Sequence, residues 1–294
     1  MSAIIIDGKA VAEKQREEAR ERTSRLKERG ITPCLAVVLV GEDPASLSYV
    51  KGKQKALAQA GMEGRDIRLP ENTTEEALLS LIADLNADDT VHGILVQLPL
   101  PGHIRESLIL KALDPRKDVD CFHPVSLGKL FLDEPGFLPC TPHGIIVLLR
   151  ELKIPTAGAH AVVVGRSNIV GKPLAMLLAR RDVNATVTVC HTGTRDLPSL
   201  TRQADILIAA CGKPGLIKGD MVKKGAAVID VGVNRVADPA GAVSRKGYRL
   251  VGDVVFDEAV QTAGWITPVP GGVGPMTIAM LMGNVVQAAE NKRG

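Results

Sequence analysis

The alternation of apolar and polar positions along the first hundred residues predicts helices and strands in turn. Residues 10–29 are rich in Ala, Glu, Lys and Arg and stop at Gly30, a pattern typical of an exposed amphipathic helix. The β-branched run CLAVVLVG (34–41) predicts a buried strand, and the stretch from Pro44 to Gly61 predicts a helix. Two more strands are predicted in DIRL and VHGILVQLPLP, separated by a threonine-capped helix in TTEEALLSLIADLNAD. We therefore expect parallel α/β layers.

The pattern is lost over residues 102–140 and then restarts. That irregular stretch contains DPRKDVDCFHP and DEPGFLPCTP, and loops of this length inside a compact domain are usually functional. A helix is predicted over 142–155. From residue 159 onward, helices in GKPLAMLLARR and near 196–203 alternate with strands in AHAVVVG, ATVTVCH, DILIAAC, GAAVIDVGV and YRLVGDV. These are the pieces of a Rossmann-like open sheet. A glycine-proline loop and a last helix follow in TPVPGGVGPMTIAMLMGNVVQAAE.

Composition narrows the class of protein. A chain of 294 residues makes one large or two ordinary domains, and 36 basic against 33 acidic residues argue against nucleic acid or a membrane surface as the main partner. No apolar stretch approaches the roughly 18 residues that span a bilayer, and MSAIIIDGKA does not have the pattern of a signal peptide. The five cysteines form no CxxC pair, and the six histidines show no HExxH spacing. We therefore expect no metal and a reducing, cytoplasmic location.

A nucleotide site is predicted in VVVGRSNIVGKP (162–173). The stretch lacks a strict GxGxxG and has only Gly165 and Gly171, so an ordinary strand-to-helix turn is the alternative. Backbone close to a phosphate at a helix N-terminus is what this chemistry requires, and Gly165, Ser167 and the helix start near Val170 would supply it.

The cofactor is predicted to be NADP rather than NAD. An NAD site usually places an acidic residue at the end of the second strand, but here that strand ends VCHTGTR, with no carboxylate before Asp196. Arg166 follows the first strand, while Thr192 and Arg195 follow the second. A cation with hydroxyls suits a 2′-phosphate, although Arg166 could also be an ordinary surface arginine.

A second site is predicted around SYVKGKQKA (48–56). Tyr49 and Lys53 are four residues apart and share one helix face, whereas Lys51 and Lys55 point elsewhere and suit a solvated surface. Gln97 stands at the carboxyl end of the strand GILVQ, the edge where open α/β sheets bind ligands. Asp118 and Asp120 follow in the next loop, where turn chemistry is the alternative.

Six motifs together carry a family resemblance: YVKGK, VQLPLP, KDVD, PCTP, GRSNIVGKP and TPVPGGVGPMT. In this order and over essentially the whole chain, they resemble the bifunctional methylenetetrahydrofolate dehydrogenase/methenyltetrahydrofolate cyclohydrolase family, the bacterial FolD type. The resemblance implies two α/β domains with a cleft between them. The folate domain would comprise residues 1–141, completed by the C-terminal helix at about 272–294, and a Rossmann-like NADP domain would comprise residues 142–271.

The resemblance also implies an activity and its residues. The enzyme would oxidise 5,10-methylenetetrahydrofolate with NADP and hydrolyse the product to 10-formyltetrahydrofolate, in one-carbon metabolism and purine biosynthesis, as a cytoplasmic homodimer. In such a site Lys53 serves the cyclohydrolase step, Tyr49 packs on the folate, Gln97 tunes the lysine and Asp120 binds the pterin. The folate side is lined by Pro270, Gly271 and Gly272, and NADP contacts Gly165, Arg166, Ser167, Thr192 and Val233.

Two positions depart from the family pattern. Cys121 stands where the family usually has glycine after the aspartate, and Ser126 where asparagine is common. If the backbone at residue 121 needs a positive φ, cysteine would strain it by roughly 1–2 kcal/mol.

Two other functions remain open from the sequence. The first is a different NADP-dependent dehydrogenase with a catalytic lysine, for example one acting on a small hydroxy acid. The second is a non-catalytic protein that binds folate or a nucleotide, although a binding protein has no need of Lys53.

Overall fold

The structure is a computed structural model that describes residues 2–238 and 247–292. It divides into two compact units. We call residues 13–140 with 278–294 the three-stranded unit, and residues 1–12 with 141–277 the six-stranded unit. The boundaries predicted from the sequence placed residues 1–12 with the first domain. In the structure, a short strand in this segment, β1 (Ile4–Ile5), pairs with the sheet of the six-stranded unit.

The three-stranded unit is built on a parallel sheet with β2 (Cys34–Val40) between β3 (Glu63–Leu69) and β4 (Gly93–Val96). Every residue of β2 is buried, which agrees with its uninterrupted apolar run. The side chains of α3 (Glu75–Ala87) cover one face, because Leu78, Ile82 and Leu85 recur at helical spacing. The predicted strands and helices of this segment are confirmed.

Caps explain where the helices of this unit begin. Asp43 accepts a hydrogen bond from the Ser46 amide at 2.7 Å, and Pro44 fills the first turn of α2 (Pro44–Gln59). Thr74 caps α3 in the same way, as predicted. The irregular stretch predicted over 102–140 is wrong in part, because it holds α4 (Glu106–Ala112) and α5 (Pro124–Phe131). Both helices are two turns long, too short for a clear apolar period.

Two long helices flank these elements in the chain. The first is α1 (Gly8–Lys27), and the last is α10 (Val273–Asn291). Within the described residues, none of the helices combines the length and the apolar character that crossing a bilayer requires.

The six-stranded unit contains a parallel sheet whose described strands run in the order β1, β11 (Trp265–Ile266), β8 (Ala227–Asp230), β7 (Ile206–Ala209), β5 (His160–Val164), β6 (Thr186–Cys190). The order reverses at β5, since β6 pairs on one side and β7 on the other. This is the switch point at which open α/β sheets bind dinucleotides. The predicted Rossmann-like sheet is confirmed.

The helices of this unit are α6 (Cys140–Glu151), α7 (Gly171–Ala179), α8 (Leu197–Thr201) and α9 (Phe256–Ala259). The prediction that YRLVGDV joins the open sheet is wrong. Its residues form β10 (Tyr248–Val251), which pairs antiparallel with β9 (Asn234–Ala237) in a separate two-stranded ribbon. Both strands carry exposed side chains, whereas a strand inside the parallel sheet is buried on both faces.

Candidate active site

Lys53 is the buried lysine of α2. Its side chain is 8% exposed, and Nζ donates a hydrogen bond to Gln97 Oε1 at 3.1 Å. The Gln97 amide nitrogen Nε2 donates to the Leu98 carbonyl at 2.8 Å, so the acceptor end of the same amide must face the lysine. The Gln97 backbone is anchored by the Val38 carbonyl at 2.9 Å. The sheet edge therefore holds the amine in a defined position.

The other residues of SYVKGKQKA differ from Lys53 in exposure, as the helical spacing predicts. Lys51 and Lys55 are exposed. Tyr49, one turn before Lys53, is 46% exposed, so its ring is accessible to a planar ligand. Lys53 alone of the three lysines is enclosed.

Asp120 lies on a tight turn that Asp118 organises. Asp118 is 1% exposed, and its carboxylate accepts hydrogen bonds from the Phe122 amide at 3.1 Å and the His123 amide at 2.9 Å. Burial raises the pKa of Asp118. Turn chemistry is therefore the role of Asp118, while Asp120 remains half-buried beside it. At the next residue, the φ of Cys121 is 61°, so the expected positive φ is present.

Two residues that the sequence did not single out fix this turn. Asn284 on α10 donates from Nδ2 to the Val119 carbonyl at 2.7 Å and to the Leu138 carbonyl at 2.9 Å. The Cys140 thiol donates to the same Val119 carbonyl at 3.4 Å. A polar residue within the apolar run of α10 was the available signal for Asn284. For Cys140 the signal was the motif PCTP.

Cys140 is also the neighbour that Asp120 and Lys53 share. Burial raises the pKa of its thiol, the negative charge and hydrogen bonding of Asp120 raise it further, and the charge of Lys53 opposes this. The structure thus brings Lys53, Gln97 and Asp120 to one region of the three-stranded unit. Around a thiol that stays protonated, this region offers a primary amine, an amide and a carboxylate.

The loop after β5 has the geometry of a phosphate cradle. Gly165 has a φ of 134°, and a Cβ at this residue would lie 2.1 Å from the Ala210 carbonyl oxygen. A Cβ on Gly171 would lie 2.2 Å from the Gly165 carbonyl oxygen. Only glycine fits at either position, so the helix α7 begins directly against the strand end.

The polar side chains of this loop are positioned for an anion. Ser167 Oγ accepts hydrogen bonds from the Val170 amide at 3.1 Å and the Gly171 amide at 3.3 Å, which orders the start of α7. Arg166 and Ser167 are exposed at the carboxyl end of β5. Thr192 is exposed after the neighbouring strand β6. A helix N-terminus with an exposed arginine beside it fits a phosphate-bearing dinucleotide.

The remaining predicted residues lie on two further loops of the six-stranded unit. Val233 follows β8 and is 45% exposed. Pro270, Gly271 and Gly272 follow β11 and precede α10. Gly271 has a φ of 112°, and a Cβ on Gly272 would lie 2.6 Å from Thr267 Cβ, so this turn also requires its glycines.

Comparisons with known proteins match both units. The family model described as tetrahydrofolate dehydrogenase/cyclohydrolase, catalytic domain, matches residues 6–120. The model described as tetrahydrofolate dehydrogenase/cyclohydrolase, NAD(P)-binding domain, matches residues 139–293.

Individual relatives align over nearly the whole chain. The chain is 58% identical to a bifunctional protein FolD of Exiguobacterium sibiricum, over 98% of this chain and 100% of the relative. A crystal structure of a Campylobacter jejuni bifunctional FolD has a TM-score of 0.93 and 50% identity, with 99% of each chain covered. A Trypanosoma brucei methylenetetrahydrofolate dehydrogenase-cyclohydrolase, complexed with NADP and an inhibitor, has a TM-score of 0.95 and 42% identity, with 100% of each chain covered. The chain therefore belongs to the tetrahydrofolate dehydrogenase/cyclohydrolase family.

Proposed function

We propose that this chain oxidises 5,10-methylenetetrahydrofolate to 5,10-methenyltetrahydrofolate with NADP and then hydrolyses the product to 10-formyltetrahydrofolate. The single observation that carries the proposal is Lys53, a nearly buried amine held 3.1 Å from Gln97 at the carboxyl edge of the sheet. Family membership and relatives named for both activities support it.

The oxidation asks the chain mainly for alignment. Loss of a hydride from the methylene carbon leaves a cation shared by N5 and N10 of the folate, so the substrate stabilises the new charge itself. NADP, when bound, supplies the hydride acceptor. In this proposal Gly165, Arg166, Ser167, Thr192 and Val233 hold NADP, and the protein contributes orientation rather than a proton.

The hydrolysis requires proton transfer. A water oxygen bonds to the methenyl carbon and gives one proton to the Lys53 amine. Lys53 then returns a proton to N5 as the bond from carbon to N5 breaks, and the hydroxyl proton of the adduct leaves to solvent. Gln97 keeps Nζ in place through its fixed carbonyl oxygen, and transfers of this kind typically contribute about 10²–10⁴-fold in rate.

The other site residues hold the folate. Tyr49 packs its accessible ring on the folate, and Asp120 accepts hydrogen bonds from the pterin. Pro270, Gly271 and Gly272 line the folate side. Arg166 selects NADP over NAD by pairing with the 2′-phosphate.

The experiment is a coupled assay of both activities on the purified chain. NADPH formation from methylenetetrahydrofolate reports the oxidation, and loss of methenyltetrahydrofolate absorbance without NADP reports the hydrolysis. A panel of small hydroxy acids with NADP is the control. Turnover of a hydroxy acid without turnover of the folate would favour the other dehydrogenase, and binding without turnover would favour a binding protein.

The assembly and location are part of the proposal. We infer a homodimer from the family resemblance, and light scattering should give twice the mass of the chain. The cytoplasm is supported by the five cysteines, all of which are free thiols in the structure. Cell fractionation with an antibody against the chain tests this location.

A further inference from the structure

Two buried carboxylates stand beneath the loops at the carboxyl edge of the six-stranded sheet. Asp253 is 0% exposed. Its Oδ2 accepts hydrogen bonds from the Cys211 amide at 2.7 Å and the Gly212 amide at 2.9 Å, and its Oδ1 accepts one from Asn234 Nδ2 at 2.9 Å. One side chain therefore ties the loop after β7 to the loop after β8.

Asp230, the last residue of β8, ties the loop after β8 to the segment after β10 that carries Asp253. It is 4% exposed. Its Oδ1 accepts from the amides of Gly232 and Asp253, and its Oδ2 accepts from the Val254 amide, each at 2.9 Å. The loops are closely interlocked, since a Cβ on Gly252 would lie 1.8 Å from Asp230 Oδ2.

The free-energy cost of burying these two carboxylates points to a functional role for them. Neither carboxylate forms a salt bridge with a lysine or arginine among the described residues, and backbone amides are their main partners. Burial raises the pKa of Asp230 to about 6, although its three amide hydrogen bonds act in the opposite direction. Burying a charge without a cation costs free energy, and groups whose pKa is shifted by their surroundings cluster at functional sites.

The position of the pair indicates what it orders. The chain order reverses between β5 and β7, so a dinucleotide would lie across that point with its phosphates at the loop after β5. In a dinucleotide bound this way, the 2′-phosphate would lie over β6, near Thr192. The nicotinamide half would then lie over β7 and β8. Val233, exposed in that region, stands between Gly232, bonded to Asp230, and Asn234, bonded to Asp253.

We propose that Asp230 and Asp253 are positioning residues for hydride transfer, holding the loops after β7 and β8 against the nicotinamide half of NADP. This inference rests on the proposed function. Hydrolysis of methenyltetrahydrofolate takes place without a hydride acceptor, so the pair should matter for one activity and hardly for the other. A residue that only stabilised the fold would affect both alike.

The test compares Asp253→Asn and Asp230→Asn with a matched control. An asparagine keeps the shape but turns an NH₂ group toward a group that is itself a hydrogen-bond donor, which should loosen the loop. Asp205→Asn is the control, because Asp205 lies at the amino edge of the same sheet, where it binds the His160 amide at 2.9 Å and Lys223 at 2.6 Å. We expect the dehydrogenase kcat of both pair variants to fall by roughly 10–100-fold. Cyclohydrolase activity should stay within about twofold, with both activities kept in the control.

A milder variant covers the case in which the pair variants do not fold. Asn234→Ala removes one bond to Asp253, and we expect a smaller loss with the same selectivity. Parallel loss of both activities, or full dehydrogenase activity in the variants, would overturn the inference alone. A wild-type chain with no NADP-dependent oxidation would overturn the proposed function and this inference with it.

Discussion

Cys121 occupies a backbone conformation that side chains rarely adopt. Its φ of 61° lies in the left-handed region, its side chain is fully buried, and its thiol donates to the Phe137 carbonyl at 3.2 Å. Burial raises the pKa of this thiol, so it stays protonated. The turn that carries Asp120 is thus held by a strained residue, where the family usually has glycine.

We predict that Cys121→Gly leaves both activities intact and does not lower the urea midpoint. Relief of roughly 1–2 kcal/mol of strain should offset the loss of a small buried thiol and its weak hydrogen bond. Cys121→Ala is the matched control, because it loses the thiol and keeps the strain. Urea unfolding at constant m should rank the alanine variant about 1 kcal/mol below the glycine variant. The reverse ranking would mean that the thiol, and not the backbone, governs stability here.

Arg166 is the exposed cation beside the phosphate cradle. We predict that Arg166→Ala weakens the binding of NADP by about 1.5–3 kcal/mol, because a charge-assisted contact with the 2′-phosphate is lost. Affinity for NAD should hardly change, because NAD lacks that phosphate. Titration with both cofactors measures this, with Arg202→Ala, an exposed arginine after α8, as the control. Equal losses for the two cofactors would remove Arg166 from the selection of NADP.

At the scale of elements, an uninterrupted or strongly periodic pattern was enough to predict a strand or helix. The buried run of β2, the capped helices α2 and α3, and the glycine loop between β5 and α7 were all predictable, because local chemistry and tertiary packing favour the same structure. Short elements were not. The helices α4 and α5 have too few turns to show a period, and the ribbon of β9 and β10 is decided by pairing rather than by local preference.

The candidate site was predictable to a similar extent. Residues that stand next to a recognisable element, such as Lys53, Gln97 and Gly165, could be named from the sequence. The contacts of Cys140, Asn284, Asp230 and Asp253 could not be predicted, even where a polar residue or a motif marked the position, since most of their partners are distant in the chain. Asn284 binds a carbonyl 165 residues away, and no local pattern reports such a contact.

His143, on α6, makes the stability of the folded chain depend on pH. Burial, and then the charges of Arg150 and Arg180, lower its pKa to about 4, and its buried Nδ1 has no hydrogen-bond partner among the described residues. In the unfolded chain the pKa is near 6.5. As the pH falls, the unfolded state therefore takes up the proton first. Stability from this residue is complete above about pH 6.5 and is lost toward pH 4.

We predict that the free energy of unfolding falls by about 3 kcal/mol from this cause between those limits. In His143→Leu, which cannot titrate, the fall over the same range should be smaller by that amount. Urea unfolding of both proteins at several pH values measures the difference. Parallel pH curves for the two proteins would show that His143 does not contribute.

For the whole molecule, the two proposed activities place different demands on the two compact units. In the proposed mechanism, the three-stranded unit carries the amine that moves protons in the hydrolysis. In the same proposal, the six-stranded unit carries the cradle and the loops that align a hydride acceptor. Two domain models of one family match residues 6–120 and 139–293, and the relatives cover both stretches. One chain should therefore lose its activities separately when single residues are changed.

The measurement that tests this most directly is the rate of each activity in Lys53→Met, with Lys51→Met and Lys55→Met as controls. Methionine keeps most of the stem volume and removes the amine, so cyclohydrolase activity should fall by roughly 10²-fold or more. Dehydrogenase activity should fall much less, and both control variants should behave nearly as wild type. Loss of both activities together in Lys53→Met would make Lys53 a binding residue, and equal effects of all three lysines would contradict a special role for it.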